Sequence, residues 1–138
     1  MIVGLCHGTF DFFHYGHLLH FEEAASRCDY LVVSVTSDKY VNKGGGRPIF
    51  TEQQRAKIIK HCEFVNEVLI SESFSGVEVI ERVCPDFYFK GKDYLNFEDP
   101  TGRLSDEIKA VERVGGSVVY TTTTKFSSTA VMRKLGLA

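Results

Sequence analysis

His14 and His17, separated only by Tyr15 and Gly16, close the stretch Gly8-Thr9-Phe10-Asp11-Phe12-Phe13-His14-Tyr15-Gly16-His17. Each imidazole can donate a hydrogen bond and, when protonated, adds positive charge. A closely spaced pair can therefore hold phosphate oxygens whose negative charge grows in a transition state. Gly16 between them lets backbone or ligand approach closely.

Such a pair needs rigid elements to aim it. Before it, Ile2 to Cys6 is a short apolar run that reads as a buried strand; after it, Leu18, Leu19, Phe21, Ala24 and Ala25 recur at helical spacing, leaving Glu22, Glu23 and Arg27 for a wet face. In an open α/β sheet, ligands bind at such a turn, where backbone N–H groups and the next helix's N-terminus converge on an anion. His14, His17 and His20 also share a three-residue spacing that could suggest a metal site. A phosphate role for the first two leaves His20 as an ordinary helix residue, and no metal-binding set is assigned.

Composition narrows the classes. At 138 residues the chain suits one domain, 1–138, which at this size buries roughly two-thirds of its unfolded surface. Hydrophobic residues at 43% and charged ones at 25% are ordinary globular values, and a net charge of -2 argues against electrostatically driven nucleic-acid or membrane binding. Cys6, Cys28, Cys62 and Cys84 form no CxxC pair, so reduced, mostly buried thiols are expected rather than a zinc ribbon. Met1 leads directly into a strand and no apolar stretch reaches membrane-span length, which makes a cytoplasmic location the expectation.

Apolar, β-branched Tyr30 to Val35 reads as a strand buried on both faces, ending in Thr36, Ser37 and Asp38. Gly44, Gly45 and Gly46 then preclude a packed element; the loop around them carries Lys39, Lys43 and Arg47, cations suited to closing over phosphates. Thr51 and Gln54 make a capping-box pattern for a helix through about Cys62, with Arg55 in its second turn. Val65 to Ile70 is a third strand, Ser75 can cap a helix bearing Val77, Val79, Ile80 and Val83, and Phe87 to Phe89 is a fourth strand. Leu104, Ile108, Val111 and Val114 mark a helix, Ser117 to Tyr120 a fifth strand, and Val131, Met132 and Leu135 a last helix entered through Ser127, Ser128 and Thr129. Hydroxyls and N–H groups at that helix start could hold outer phosphates. Alternating strands and helices imply an α/β fold: a single Rossmann-like, doubly wound parallel sheet of about five strands with helices on both faces.

The pattern Gly-Thr-Phe-Asp-x-x-His-x-Gly-His resembles the signature of the cytidylyltransferase-like nucleotidyltransferases, the HxGH superfamily. The resemblance implies transfer of a nucleoside monophosphate to a phosphorylated or phosphonate small molecule, with release of pyrophosphate and a Mg²⁺ ion on the triphosphate. It implies catalytic roles for His14 and His17 at the α-phosphate and for Lys43, with Lys39 as the alternative loop lysine. Gly8, Thr9, Phe10 and Gly16 would line the nucleotide, while Asp11, Asp38 and Arg55 would meet the acceptor, Asp11 holding the turn's geometry as the alternative.

Two subfamilies compete. The Gly-Thr-Phe-Asp and His-Tyr-Gly-His segments and the stretch from His61 to Val68 are similar to choline-, ethanolamine- and glycerol-phosphate cytidylyltransferases. Lys90-Gly91-Lys92-Asp93-Tyr94 resembles the turn that borders the nucleotide base in heptose-phosphate adenylyltransferases, which makes Lys90, Lys92 and Asp93 base-site candidates; the Ser127-Ser128-Thr129 ending leans the same way. CTP is the expected nucleotide, with ATP and a sugar phosphate as the alternative, and a non-catalytic nucleotide-binding module as an alternative of another class. The arginine that cytidylyltransferases carry shortly before the final motif is missing: Thr121 to Thr124 occupy its place, and Lys125 or Arg133 could substitute. Family members are often dimers, so a homodimer is possible.

Overall fold

In the computed structural model, which describes residues 1–41, 45–92, 102–122 and 128–136, with backbone alone at Ser128 and Thr129, strands and helices alternate throughout. Strand β1 is Val3–Gly8, helix α1 Tyr15–Ala25, strand β2 Tyr30–Thr36, helix α2 Glu52–Lys60 and strand β3 Glu67–Ser71. There follow helix α3, Val77–Val83; strand β4, Phe87–Gly91; helix α4, Arg103–Arg113; strand β5, Ser117–Thr121; and helix α5, Ser128–Lys134. A 3₁₀ turn, Asp38–Tyr40, follows β2.

All neighbouring strands are parallel, in the order β3-β2-β1-β4-β5. The chain builds outward from β1 to β3, then crosses to the other side of β1 to begin β4. That reversal opens a crevice between the carboxyl ends of β1 and β4, where adjacent loops diverge to opposite faces. The expected doubly wound sheet is the observed one. Cys6, Phe21, Ala24, Leu31, Val33, Ile59 and Phe89 fill one core layer, under α1 and α2; Leu5, Val32, Ile80, Tyr88, Ala110 and Val111 fill the other, under α3 and α4. Central strands covered on both faces need apolar residues at successive positions, which is why β2 reads as an apolar run without alternation, broken only by Ser34.

Several boundaries differ from those expected, each for a local reason. β1 runs on to Gly8 because His7 and Gly8 still pair with Ser34 and Val35 of β2. β3 begins at Glu67, not Val65: the Val65 N–H turns back to the Cys62 carbonyl at 3.1 Å, and Asn66 exchanges bonds with Leu31, its Oδ1 accepting from the Leu31 N–H at 2.8 Å. Thr51 and Gln54 do form the reciprocal capping box, but α2 ends at Lys60. Ser75 is not the cap of α3; Gly76 stands there, and its N–H donates to Glu107 Oε2 at 3.0 Å, so the helix is capped from α4. All four cysteines are free thiols, and Cys84 is exposed where a buried one was expected.

Candidate active site at the histidine turn

His14 is the N-cap of α1, and His17 is the third residue of that helix. The Gly16 N–H donates to His14 Nδ1 at 3.0 Å, and the His14 N–H donates to His17 Nδ1 at 3.3 Å. This is a capping box built from imidazoles in place of Ser and Glu. A backbone N–H can only donate, so both Nδ1 atoms accept, and the hydrogen of each neutral ring falls on Nε2. The rings stack with centroids 4.0 Å apart, an arrangement that would set two imidazolium charges against each other. Burial also pushes the pKa of His14 down. The pair is thus fixed as neutral Nε2–H donors, not as the protonated cations that the sequence also allowed. Phe10 and Phe13 hold the His17 ring in place, each with its ring centroid 5.6 Å away.

The turn leading to this cap is strained, with Phe10 at φ 51° and Phe12 at φ 53°. Left-handed non-glycine residues cost of order 1–2 kcal/mol each, so something must hold them. Asp11, between them, does so. It is 2% exposed; its carboxylate accepts from the Phe12 N–H at 3.0 Å, the Ile49 N–H at 2.6 Å, the Phe50 N–H at 3.0 Å and Arg47 Nε at 3.0 Å. Burial works against its charge, but these donors outweigh it and hold the carboxyl below the usual range. Of the two roles weighed for Asp11, its contacts are those of the turn-holder; the expectation that it meets an acceptor has no side-chain surface to act through.

Arg55 is the second tie. It is 1% exposed, its Nη1 donating to the Thr9 carbonyl at 2.8 Å, its Nε to the Phe50 carbonyl at 3.0 Å and its Nη2 to Asp38 Oδ1 at 2.7 Å. An arginine expected to face an acceptor is instead buried among three segments, because its fan of donors matches two backbone carbonyls and the Asp38 carboxylate. Asp38, also expected at the acceptor, is bonded to Arg55 and keeps 38% of its side-chain surface open.

Gly8 closes β1 beneath the Phe10 ring, which a Cβ there would meet at 3.0 Å. Lys90, near the end of β4, lies 3.3 Å from Glu107 of α4, and Lys92 is exposed just beyond the strand. Ser128 and Thr129 open α5. Lys43, Asp93 and Ser127 lie outside the described residues. The turn therefore brings together Thr9, Phe10, Asp11, His14, Gly16 and His17, with Asp38 and Arg55 behind it.

Other participants went unread in the sequence. Arg47, noted only as a loop cation, is an anchor for Asp11. Glu23, assigned to the wet face of α1, accepts from the Thr122 N–H at 2.8 Å and from Thr122 Oγ1 at 3.0 Å. Thr121, noted in the sequence only as standing where the arginine is missing, is 1% exposed: its hydroxyl donates to the Lys90 carbonyl at 3.3 Å and is 3.0 Å from His20 Nδ1. At the place of the missing arginine, then, stand threonines tied to α1. Among the described residues no group of three His, Cys, Asp or Glu side chains gathers as a metal cage, and no helix is long and apolar enough to cross a membrane.

Residues 5–134 match a family model described as cytidylyltransferase-like. The bifunctional protein HldE of Nitrobacter hamburgensis is 36% identical over 137 residues, taking in 97% of this chain and 27% of its own length. HldE of Aliarcobacter butzleri is 38% identical over 112 residues, 79% of this chain and 23% of its own. The chain thus spans about a quarter of the length of these curated relatives. A lipopolysaccharide core biosynthesis protein from Thermoplasma volcanium superposes with a TM-score of 0.72 at 25% identity, covering 92% of this chain and 99% of that one. Pantothenate synthetase from Thermus thermophilus, 17% identical with a TM-score of 0.59 over 91% of this chain, shares the fold.

Proposed function

Because this chain belongs to the cytidylyltransferase-like family, we propose that it transfers an adenylyl group from ATP to a phosphorylated sugar and releases pyrophosphate. The observation that carries the transferase reading is the reciprocal His14/His17 cap at the switch-point crevice, which fixes two neutral N–H donors at the start of a helix. The likeness to the HldE proteins and to a lipopolysaccharide core biosynthesis protein weighs for ATP and a sugar phosphate over the CTP expected from the sequence. The Lys90 to Tyr94 turn, similar to that of heptose-phosphate adenylyltransferases, leans the same way.

In this reaction an acceptor phosphate oxygen forms a bond to the α-phosphorus while the bond from that phosphorus to the bridging β-oxygen breaks in line, the electron pair leaving on pyrophosphate. The attacking oxygen is already ionised, so no strong base is required; positioning and charge stabilisation carry the rate. Neutral Nε2–H donors suit this work because they strengthen as charge grows on the α-phosphate and cost no proton transfer. Lys43 would meet the phosphates across the loop, and Ser128 with Thr129 the departing pyrophosphate, aided by the N-terminus of α5.

The donor set at the turn bears on Mg²⁺. Asp11 accepts from four donors among the described residues and both Nδ1 atoms accept from backbone, so the residues fit a cation that arrives on the triphosphate with water as most of its remaining ligands. When bound, it would neutralise phosphate charge.

The test is pyrophosphate release from ATP or CTP with Mg²⁺ and a panel of sugar 1-phosphates, polyol phosphates and phosphorylated alcohols. ATP with a sugar phosphate is the expected productive pair, and turnover with CTP alone overturns the nucleotide assignment. His17→Ala should abolish release with circular dichroism unchanged; undiminished turnover removes the histidine pair from the mechanism. If the unaltered protein binds nucleotide and turns over no member of the panel, the non-catalytic binding module is the better reading.

A further inference from the structure

A second polar cluster occupies the same carboxyl edge on the other face of the sheet. Side chains alternate along a strand, so His7 shares the face of Leu5, and Lys90 that of Tyr88, under α3 and α4. Glu107 of α4, 5% exposed, is its centre: Tyr88 Oη donates to Oε1 at 2.5 Å, the Gly76 N–H donates to Oε2 at 3.0 Å, and Lys90 Nζ lies 3.3 Å from Oε1. A Cβ on Gly76 would come within 2.8 Å of the Tyr88 hydroxyl, so only glycine lets the α3 cap reach this carboxylate.

Burial tends to raise the Glu107 pKa, but the Lys90 ammonium, the Tyr88 hydroxyl and the Gly76 N–H outweigh it and hold the group ionised. Beside it, burial and the Lys90 charge push His7 down to about 4, and its Nδ1 sits 2.7 Å from Ser34 Oγ. Among the described residues the corner therefore holds the Lys90 cation, the Glu107 anion and a neutral imidazole. A buried pair of this kind is a weak stabiliser, because desolvation offsets its Coulombic gain. It does, however, change what the lysine can recognise. An ammonium has three N–H donors and, uncompensated at a crevice, binds phosphate as a point charge.

We propose that Glu107 is a positioning residue that cancels the charge of Lys90 and holds its ammonium at the β1–β4 crevice as a donor to uncharged oxygens, the hydroxyls of a sugar-phosphate acceptor. The proposal rests on the sugar-phosphate reading above. Lys90 keeps 12% of its side-chain surface open, against 7% for Glu107, and the ammonium is the donor of the pair, so the proposal assigns the ligand contact to the lysine. A site that hydrogen-bonds a hydroxyl rejects an analogue lacking it, and the corner would separate sugar phosphates from short phosphorylated alcohols.

The test compares Glu107→Gln and Lys90→Met with the unaltered protein. The readouts are KM for a sugar 1-phosphate, for glycerol phosphate and for ATP, together with calorimetric binding of the sugar phosphate alone. Loss of one hydrogen bond from an ammonium whose charge is already compensated is worth about tenfold. Each variant should raise the sugar-phosphate KM by about that factor and weaken its binding to match; an ATP KM held within about twofold separates this acceptor role from the base-bordering role that the resemblance implies for Lys90. Glu107→Gln should also bind inorganic phosphate more tightly, an effect that a purely structural role would not produce. Sugar-phosphate affinity unchanged in folded Lys90→Met, or ATP and acceptor constants shifting together, overturns the proposal. Absence of pyrophosphate release by the unaltered protein overturns the transferase reading instead; calorimetry still decides this one, and failure of the unaltered protein to bind the sugar phosphate refutes it.

Discussion

Replacing Asp11 by asparagine changes almost nothing in shape and should nevertheless be among the costlier single changes near the site. Four partners of this carboxylate among the described residues are donors: the N–H groups of Phe12, Ile49 and Phe50, and Arg47 Nε. Asparagine carries one acceptor and one donor, so whichever way the amide is turned its NH₂ faces N–H groups. Oδ1 serves Phe12 and Phe50 while Oδ2 serves Ile49 and Arg47, so half of the contacts are lost in either orientation. A buried donor left unsatisfied costs about 1–3 kcal/mol, more where a charged group loses its partner. Two such losses, less what water recovers at the partly buried Arg47, come to about 3 kcal/mol. For a domain of this size that corresponds to a fall in Tm of roughly 10 °C. Urea denaturation at pH 7 measures it as a drop in Cm at unchanged m. The folded-state pKa of Asp11 is depressed, so its contribution is present above the unfolded carboxylate value and is lost as pH falls through the folded one. The gap between Asp11→Asn and the unaltered protein should therefore close in acid. A variant within about 1 kcal/mol of the parent at pH 7, or a gap that persists below both pKa values, refutes the account of the turn.

Three further outcomes are expected. His7 is held neutral with a pKa of about 4, so the unfolded chain takes up its proton first as pH drops below 6.5; stability is full above that value and falls by up to about 3 kcal/mol by pH 4, a loss that urea titrations at pH 7.5 and 4.5 should find reduced in His7→Gln. Gly116→Ala would place a Cβ 2.3 Å from the Pro85 carbonyl oxygen, backbone that cannot swing aside, and should lower stability by about 2 kcal/mol or more in thermal melts. Glu23→Ala leaves the Thr122 N–H without its acceptor and should cost about 1 kcal/mol, with faster hydrogen exchange at the Thr122 amide while amides in the middle of β2 are unaffected.

What the sequence determined by itself is what depends on neighbours along the chain. Hydrophobic runs such as Tyr30 to Val35, the Thr51/Gln54 capping pair and the turn signals between them give the order of strands and helices, because each depends on contacts within a few residues. The pattern from Gly8 to His17 likewise pointed to a phosphate site, since the chemistry lies in residue types three apart on one helix start. Tertiary structure decided whatever depends on partners distant in sequence. The resemblance makes Asp11 and Arg55 substrate contacts, yet three donors to Asp11 lie 36 to 39 residues away and one acceptor of Arg55 lies 46 away, and those partners turn them into fasteners of the site. Glu107 carried no local signal: it is one acid on an amphipathic helix, and only the crossover that sets α4 against α3 and β4 brings it to Gly76, Tyr88 and Lys90. The protonation state of the histidines was undecided for the same reason. Spacing permits a charged or a neutral pair, and burial with backbone donors on both Nδ1 atoms selects the neutral one.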